Sequence, residues 1–467
     1  MLFDTPIFFL FLCGVVLCYW CLGFRNQNWF LLLASYFFYG WWDWRFLCLM
    51  IASTTIDYFI GIKIADTEDP RVRRSLLVFS LIVNFSILGF FKYFNFFADS
   101  AATALSTLGI HASLPILRII LPPGISFYTF QEIAYIVDVY QKKLPPSRSF
   151  VDYGLFITFF PHLIAGPIQR PSHLLPQVQN PRQWDSVKAF DGMLLILEGL
   201  FRKCVIADNC ALIANAAFNG SFRQSSLPVL LLATYAFAWQ IYGDFSGYSN
   251  IARGCAQLMG FHFMVNFRQP YLADSIQDFW RRWHISLSTW LRDYLYIPLG
   301  GNRDGERKTY RNLLLTMLLG GLWHGANWAF VVWGGLHGAG LAAERKLAVR
   351  KSATRRPVGV WMKRILIFHF VCLTWIFFRA TSLRAAWQML KGLGVWTWRP
   401  EFSAAFLFLA IFSLPLLLVD LYLELSGDEY CFASATVQQR VAVGLACALV
   451  IAFLGANQAN AFIYFQF

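Results

Sequence analysis

The chain has 467 residues, of which 57% are hydrophobic, 18% aromatic and only 14% charged. A soluble protein carries about 25% charged residues, so this composition excludes a soluble globular protein and predicts an all-α polytopic membrane protein. The net charge of +13 does not indicate nucleic acid binding, because the basic residues concentrate in short loops, as is usual in membrane proteins.

Apolar runs recur along the chain, and about 20 apolar residues are enough to span a bilayer. The first run, residues 6–24, has no basic segment before it and no small-residue cleavage site, so we expect a membrane helix and not a signal peptide. The other clear runs are residues 46–64, 76–91, 227–241, 365–378, 406–419 and 441–454. With the less regular stretches between them, they predict roughly ten or more spanning or re-entrant helices around a central membrane cavity.

No polar stretch is long enough to build a separate soluble core, so we expect a single membrane domain over residues 1–467. Its parts would be N-terminal spanning helices over 1–100, an irregular catalytic core over 115–345 and C-terminal spanning helices over 358–467. No internal repeat is visible, which argues against a transporter built from inverted repeats.

The centre of the chain, from Pro122 to Gly300, mixes apolar runs with Pro, Gly and polar residues. Broken backbone at membrane depth is tolerated only where protein or a water-filled cavity surrounds it, so we expect the functional part here. Asp244 lies in one such interruption between Gly243 and Gly247. We favour a helix cap or an ion pair with a central arginine over a functional role for this carboxylate.

Two basic clusters predict the orientation of the chain. One contains Arg71, Arg73 and Arg74, and the other is the stretch 345–364, which has eight Lys and Arg residues and no acidic residue. The positive-inside rule predicts that both are cytoplasmic. Contact of the longer cluster with anionic lipid is the weaker alternative.

The ten cysteines lie mostly in apolar runs without a regular spacing, so we expect neither a disulfide framework nor a metal site. Cys18 and Cys21 form a C-x-x-C within the first spanning segment, where small core residues are the simpler interpretation. We interpret His369 as a satisfied interior histidine. Histidines scattered singly near loops or segment ends have no role predictable from sequence: His111, His162, His173 and His262.

Residues 278–298 predict one amphipathic helix that is too charged to cross lipid. At 100° per residue, His284 falls on the aromatic face with Trp280 and Trp283, whereas Arg281 and Arg282 fall on the opposite face. A structural histidine bonded to a backbone carbonyl would also lie there. Spacing alone therefore leaves a functional and a structural His284 equally supported.

His324 lies in the apolar stretch 312–343, which contains no charged residue. If this stretch is helical after Arg311, His324 lies roughly 20 Å below the basic loop. An ionisable side chain at such depth is a functional-site candidate by default. In one straight helix His337 would point roughly 220° away from His324, so we interpret His337 as structural, while Asn327 and Trp328 share the His324 face.

Three long motifs, at residues 280–296, 298–303 and 320–327, resemble those of the membrane-bound O-acyltransferase family. The resemblance is strongest to its bacterial branch of alginate O-acetylation and teichoic acid D-alanyl transfer proteins. It extends over nearly the whole chain, because residues 159–167, 242–249, 266–271 and 462–467 are also similar to alginate-type members. It implies the all-helical fold of that family.

The resemblance implies that His324 matches the essential membrane histidine of the family and His284 its second histidine. Five residues in or beside the shared motifs are further substrate-binding candidates: Asn327, Trp328, Asp244, Tyr242 and Arg282. It implies an acyl group, most plausibly acetyl, supplied by acetyl-CoA at the cytoplasmic face of a bacterial inner membrane, with no bound cofactor or metal.

The expected acceptor is a hydroxyl of an exported polysaccharide, alginate- or cellulose-like, or a serine on a periplasmic partner of the SGNH-hydrolase type. His324 would act as general base on that hydroxyl, and His284 would orient the donor or polarise its thioester. A covalent acyl-histidine stays open. Two other classes also stay open: a transporter and a non-catalytic scaffold of a polysaccharide-export complex.

Overall fold

The computed structural model describes residues 1–110, 117, 119–164, 166–220, 225–348, 357–432, 434–456 and 462–463. His111, the middle of the second basic cluster and most of the C-terminal motif lie outside these residues. Within the described ranges all regular structure is helical, which confirms the all-α prediction.

The first ten α-helices are α1 (Pro6–Trp20), α2 (Phe24–Gly40), α3 (Trp44–Asp66), α4 (Pro70–Leu88), α5 (Phe94–Thr107), α6 (Ile125–Tyr140), α7 (Phe150–Thr158), α8 (Phe160–Leu163), α9 (Pro171–Gln179) and α10 (Ser186–Leu200). The other ten are α11 (Asp208–Phe218), α12 (Leu227–Leu258), α13 (Ile276–Arg282), α14 (Ile285–Leu291), α15 (Glu306–His324), α16 (Trp328–Ala348), α17 (Pro357–Arg379), α18 (Leu383–Leu390), α19 (Pro400–Ser426) and α20 (Val437–Leu454). π-Helical turns at Gly89–Tyr93, Phe201–Ala207 and Arg292–Tyr296 join some of them.

Five helical segments in the described part of the chain are long and apolar enough to cross a membrane. They are Trp44–Asp66, Pro70–Thr107, Gly359–Arg379, Pro400–Ser426 and Val437–Leu454, and the shorter α1 is also apolar. Their length and composition confirm the prediction of a multi-pass membrane protein.

The chain divides into two compact units. The first comprises Met1–Met193 and Ala252–Met264, and its centre is α3, which packs against α4, α6 and α7. Asp57 of α3 accepts hydrogen bonds from Ser80 Oγ at 2.6 Å and Asn84 Nδ2 at 2.7 Å, both on α4. One turn earlier on α3, two hydroxyls donate to the buried Glu132 of α6. Buried polar groups in a bilayer need such partners, and here they bind three helices together.

We expect Asp57→Ala to destabilise the first unit. The substitution leaves the Ser80 hydroxyl and the Asn84 amide buried without their acceptor, at a cost of about 1–3 kcal/mol for each unsatisfied group. Asp57→Asn keeps one acceptor oxygen and should cost less. Thermal unfolding in detergent measures both.

Asp66→Ala is the matched control, because Asp66 lies on the same helix in an exposed ion pair with Arg148. Exposed pairs contribute only about 0–1 kcal/mol. If Asp57→Ala unfolded at the same temperature as Asp66→Ala, the polar network would not stabilise these helices.

The second unit comprises Leu194–Ile251 and Val265–Phe467. Its most extensive helix contact is the hairpin of α15 and α16. A Cβ atom on Gly321 would lie 2.2 Å from the backbone oxygen of Phe330, and one on Gly334 would lie 2.1 Å from that of Met317. Only glycine permits this backbone approach. Residues 312–343 are therefore not one straight helix, the condition under which the angle of roughly 220° between His324 and His337 holds.

The expectation of one continuous amphipathic helix over 278–298 is also wrong. The chain forms α13 and α14 with a break at Trp283 and His284, where His284 adopts a left-handed φ of 43°. Two backbone hydrogen bonds hold the break: Ile285 N–H donates to Asn266 O, and Arg268 N–H donates to Arg282 O, each at 2.9 Å. These partners are far apart in sequence, so helical periodicity does not contain them.

Candidate active site

His284 is fully buried in the second unit, at the left-handed position between α13 and α14. Its Nδ1 lies 3.2 Å from Asn266 Oδ1. That Asn266 atom also accepts hydrogen bonds from the Ser286 backbone N–H and hydroxyl. A backbone N–H can only donate, so the Asn266 atom is the oxygen and His284 Nδ1 carries the proton. In the neutral ring Nε2 then keeps its lone pair.

Burial also determines the charge of this ring. His284 lies outside the five long apolar segments, and burial lowers its pKa to about 3. Loss of hydration disfavours the charged imidazolium. The ring is therefore neutral near pH 7, and its unprotonated nitrogen can accept a hydrogen bond.

His324 is the last residue of α15 and is 4% exposed. Its ring lies between aromatic side chains, with centroids 5.1 Å from Trp333 and 5.3 Å from Phe378 in edge-to-face arrangements. Edge-to-face contacts of this kind are favourable between aromatic rings and fix their orientation. The hairpin thus places a buried imidazole at the point where the chain reverses.

The two histidines come together in one aromatic enclosure. Their ring centroids are 6.4 Å apart, and Trp323 lies 5.1 Å from His324 and 6.1 Å from His284. Phe245 of α12 closes the other side of His284 at 4.6 Å. Two imidazoles this close, in a buried site lined by aromatic rings, are suited to proton transfer on a small reactive group.

His337 lies behind this enclosure. Its ring centroid lies 5.0 Å from that of Trp333, the tryptophan that also contacts His324, and its Nε2 lies 2.9 Å from Thr374 Oγ1. Because the chain turns between α15 and α16, His337 and His324 both contact the same tryptophan. Its hydrogen bond within the helix packing agrees with the structural interpretation.

Two of the other predicted residues belong to buried charge networks in this unit. Asp244 forms an ion pair with Lys203 at 2.9 Å and accepts the backbone N–H of Ile463 at 2.7 Å. Lys203 also pairs with Asp208 at 2.9 Å. The expected ion pair is thus formed with a lysine and not with a central arginine, and Asp244 also holds the backbone of Ile463.

Tyr242 is buried and donates its hydroxyl proton to Asp420 at 3.0 Å, while Arg202 donates to the same hydroxyl at 3.4 Å. Arg202 in turn pairs with Glu198 at 2.6 Å. The Tyr242 ring lies 6.3 Å from that of Trp283, the residue before His284. This geometry supports the backbone around His284.

Arg282, Asn327 and Trp328 lie in other surroundings. Arg282 bridges Asp278 at 2.8 Å and Glu424 at 2.6 Å, linking α13 to α19. Asn327 accepts from the Ala329 backbone N–H and donates to the Thr381 carbonyl, so it shapes the turn before α16. Trp328 is 53% exposed, so it is not part of the buried enclosure.

Sequence reasoning missed three residues that shape the site: Asn266, Trp333 and Phe378. Asn266 had a usable signal, because it begins the family-like motif at 266–271 and is a lone amide beside apolar residues. Trp333 and Phe378 look like ordinary membrane-helix aromatics. Among the described residues, no group of three or more His, Cys, Asp or Glu side chains is placed to hold a metal ion.

The model of the MBOAT, membrane-bound O-acyltransferase family, matches residues 79–383. The chain is 44% identical over 401 residues to the probable alginate O-acetylase AlgI of Pseudomonas aeruginosa, covering 85% of this chain and 76% of that protein. It is 40% identical over 429 residues to the peptidoglycan O-acetyltransferase of Helicobacter pylori, covering 84% and 80%. The teichoic acid D-alanyltransferase of Bacillus subtilis is 28% identical over 267 residues, covering 53% and 66%.

The match spans more than half of the chain, and the similar proteins are aligned over most of their own length. A helical membrane fold that encloses two histidines therefore defines this protein as an O-acyltransferase. The chain belongs to the membrane-bound O-acyltransferase family.

We expect Asn266→Leu to lower kcat by about 10²-fold with little change in KM. A loss of this size is at the lower end of what a general acid or base contributes to the rate. The substitution removes the acceptor that selects the His284 tautomer and the bond that holds its ring. Acyl-transfer kinetics with purified protein in nanodiscs measure both constants.

Ser249→Ala is the control, because it removes the Asn266 amide contact at 3.2 Å and leaves Asn266 Oδ1 in place. It should retain most activity. Equal losses in both variants would show that Asn266 acts through general packing and not through the His284 ring.

Proposed function

We propose that the protein transfers an acetyl group from acetyl-CoA, at the cytoplasmic face of a bacterial inner membrane, to the hydroxyl of an exported polysaccharide. The transfer is direct or passes through a serine on a periplasmic partner of the SGNH type. The observation that carries this proposal is the enclosure of His324 and His284, whose rings lie 6.4 Å apart, in a chain similar to named O-acetyltransferases.

His324 acts as the general base in this proposal. A neutral imidazole accepts the proton of the acceptor hydroxyl as its oxygen attacks the thioester carbonyl, a C–O bond forms and the C–S bond breaks. The proton then passes from the imidazolium to the departing thiolate, so the histidine is regenerated. Such catalysis typically contributes about 10²–10⁴-fold.

His284 orients or polarises the donor. Its Nδ1 proton is held by Asn266, so Nε2 is the nitrogen that remains basic. A basic nitrogen cannot donate a hydrogen bond to a carbonyl oxygen. In this tautomer His284 orients the donor by accepting a hydrogen bond at Nε2, or helps to polarise the carbonyl through a water that donates one hydrogen bond to Nε2 and the other to the carbonyl oxygen.

The nature of the acceptor is supported by the names of the similar proteins. One is called an alginate O-acetylase and another a peptidoglycan O-acetyltransferase, and both names refer to carbohydrate polymers. The more distant D-alanyltransferases carry the name of another envelope polymer. An exported polysaccharide, alginate- or cellulose-like, is therefore the proposed acceptor of this chain.

We expect His324→Ala to lower the ester content of the secreted polysaccharide by at least about 10²-fold, because the general base is lost. Polymer yield and membrane abundance of the protein should stay unchanged. Base-released acetate per unit of polymer measures the effect in cells that lack the wild-type gene.

His337→Gln is the matched control, since His337 contacts the same Trp333 but bonds Thr374. It should keep most of the ester. Normal ester in His324→Ala would contradict the catalytic assignment and favour a scaffold. Loss of polymer export together with ester would instead favour a transporter.

The direction of transfer has its own test. Inside-out membrane vesicles expose the cytoplasmic face, so labelled acetyl-CoA added outside them should label acceptor trapped in the lumen. Right-side-out vesicles given the same donor should show no label. Equal labelling in both orientations would contradict a cytoplasmic donor site.

A further inference from the structure

A separate apolar slot lies in the second unit, between α12, α17 and α19. Its volume is about 420 Å³, within the range of about 300–1,000 Å³ that small-molecule sites occupy. Phe368, Leu409 and Leu417 line it together with Tyr271. Neither His284 nor His324 belongs to its lining, so the proposed acyl transfer does not account for it.

The slot opens towards the bilayer. Helices α17 and α19 both belong to membrane-spanning candidates, and their residues Ile365 and Leu414 are 57% and 50% exposed at its rim. An apolar groove along membrane helices is in contact with lipid chains and not with water. The available occupant at this position is therefore a hydrocarbon chain.

The polar side chains in the wall of the slot satisfy one another. The Tyr235 hydroxyl lies 2.7 Å from His369 Nε2, and His369 Nδ1 lies 2.7 Å from the carbonyl of Ile365. A carbonyl only accepts, so Nδ1 donates to it and Nε2 accepts the tyrosine proton. Tyr271 donates to the Ala238 carbonyl. These hydrogen bonds use the polar groups of Tyr235, His369 and Tyr271, and most of the remaining lining is apolar, which suits an alkyl chain.

One end of the slot is different, because it contains a charged side chain. Arg364 lies there with its guanidinium 4.8 Å above the ring of Trp361. One side of the guanidinium pairs with Glu424 at 2.6 Å, whereas Nε is buried and has no hydrogen-bond partner among the described residues. The Arg364 side chain is still 18% exposed, and a phosphate oxygen is a suitable acceptor for a guanidinium.

The exposed basic residues on α16 and α17 favour an anionic ligand. Lys363 is exposed beside Arg364, and Arg345 and Lys346 are exposed at the end of α16, which packs on α17. Tryptophan and basic residues typically mark the headgroup region of a bilayer. Anionic lipids of the cytoplasmic leaflet are attracted to such clusters.

We propose that this slot binds one anionic phospholipid, with one acyl chain along α17 and α19 and its phosphate at Arg364 and Trp361. The acyl chain replaces bulk lipid against Phe368 and Leu409, and the phosphate accepts from the exposed part of the Arg364 guanidinium. This lipid site is distinct from the two-histidine enclosure and needs no covalent step.

Photo-crosslinking tests the site. The purified full-length protein is reconstituted with phosphatidylglycerol that carries a diazirine in its acyl chain, or with the phosphatidylcholine analogue, and adducts are mapped by mass spectrometry. We expect adducts concentrated on the slot residues of α17 and α19, with phosphatidylglycerol giving several-fold more than phosphatidylcholine.

Ala410→Trp fills the slot and should reduce these adducts by about tenfold, because several buried methylenes lose their contacts. Ala404→Trp is the matched control, since Ala404 is exposed on the same helix outside the slot lining. Equal thermal unfolding of the two variants shows that both are folded.

Two results would overturn the proposal. Adducts spread evenly over the exposed residues of α19 and α20, unchanged by Ala410→Trp, would mean only nonspecific boundary lipid. Equal labelling by the two headgroups would refute the anionic phospholipid. Because the readout is labelling and not activity, loss of the proposed acetyl transfer would leave this test intact.

Discussion

The close contact between the backbones of α15 and α16 determines the geometry of the site. Gly321 and Gly334 leave no room for a Cβ, since each would meet a backbone oxygen at 2.2 Å or less. This contact reverses the chain directly after His324 and brings Trp333 over its ring at 5.1 Å. Without the reversal the histidine would lie on the side of a long helix, and no enclosure would form around it.

The second histidine depends on a different constraint, a left-handed residue inside an otherwise helical segment. A non-glycine residue with φ of 43° is unfavourable and persists only when its surroundings over-determine it. Asn266 holds this backbone conformation in place, because its backbone carbonyl and its side-chain oxygen accept hydrogen bonds from the residues around His284. Hydrogen bonds to this one asparagine thus hold the strained backbone and also select the imidazole tautomer.

Buried charges around the site are paired within their own networks. Lys203 is shared by Asp208 and Asp244, and Arg202 is bonded to Glu198. Removing one partner from a buried ion pair is strongly destabilising. These charged residues therefore have a structural role that does not require contact with the substrate. Asp244, Tyr242 and Arg282 are therefore understood first as supports of α12, α13 and α19.

Residue patterns alone determined the membrane class and the all-helical fold, and they predicted a functional role for His324, because apolar length and a lone ionisable group in an apolar stretch are local properties. The motifs added the family and His284. Only the tertiary structure decided that the helices break at His284 and after His324, and that Asn266, Trp333 and Phe378 complete the site. Those features depend on hydrogen bonds and ring contacts between distant residues, whereas helical periodicity describes only neighbours within a few turns.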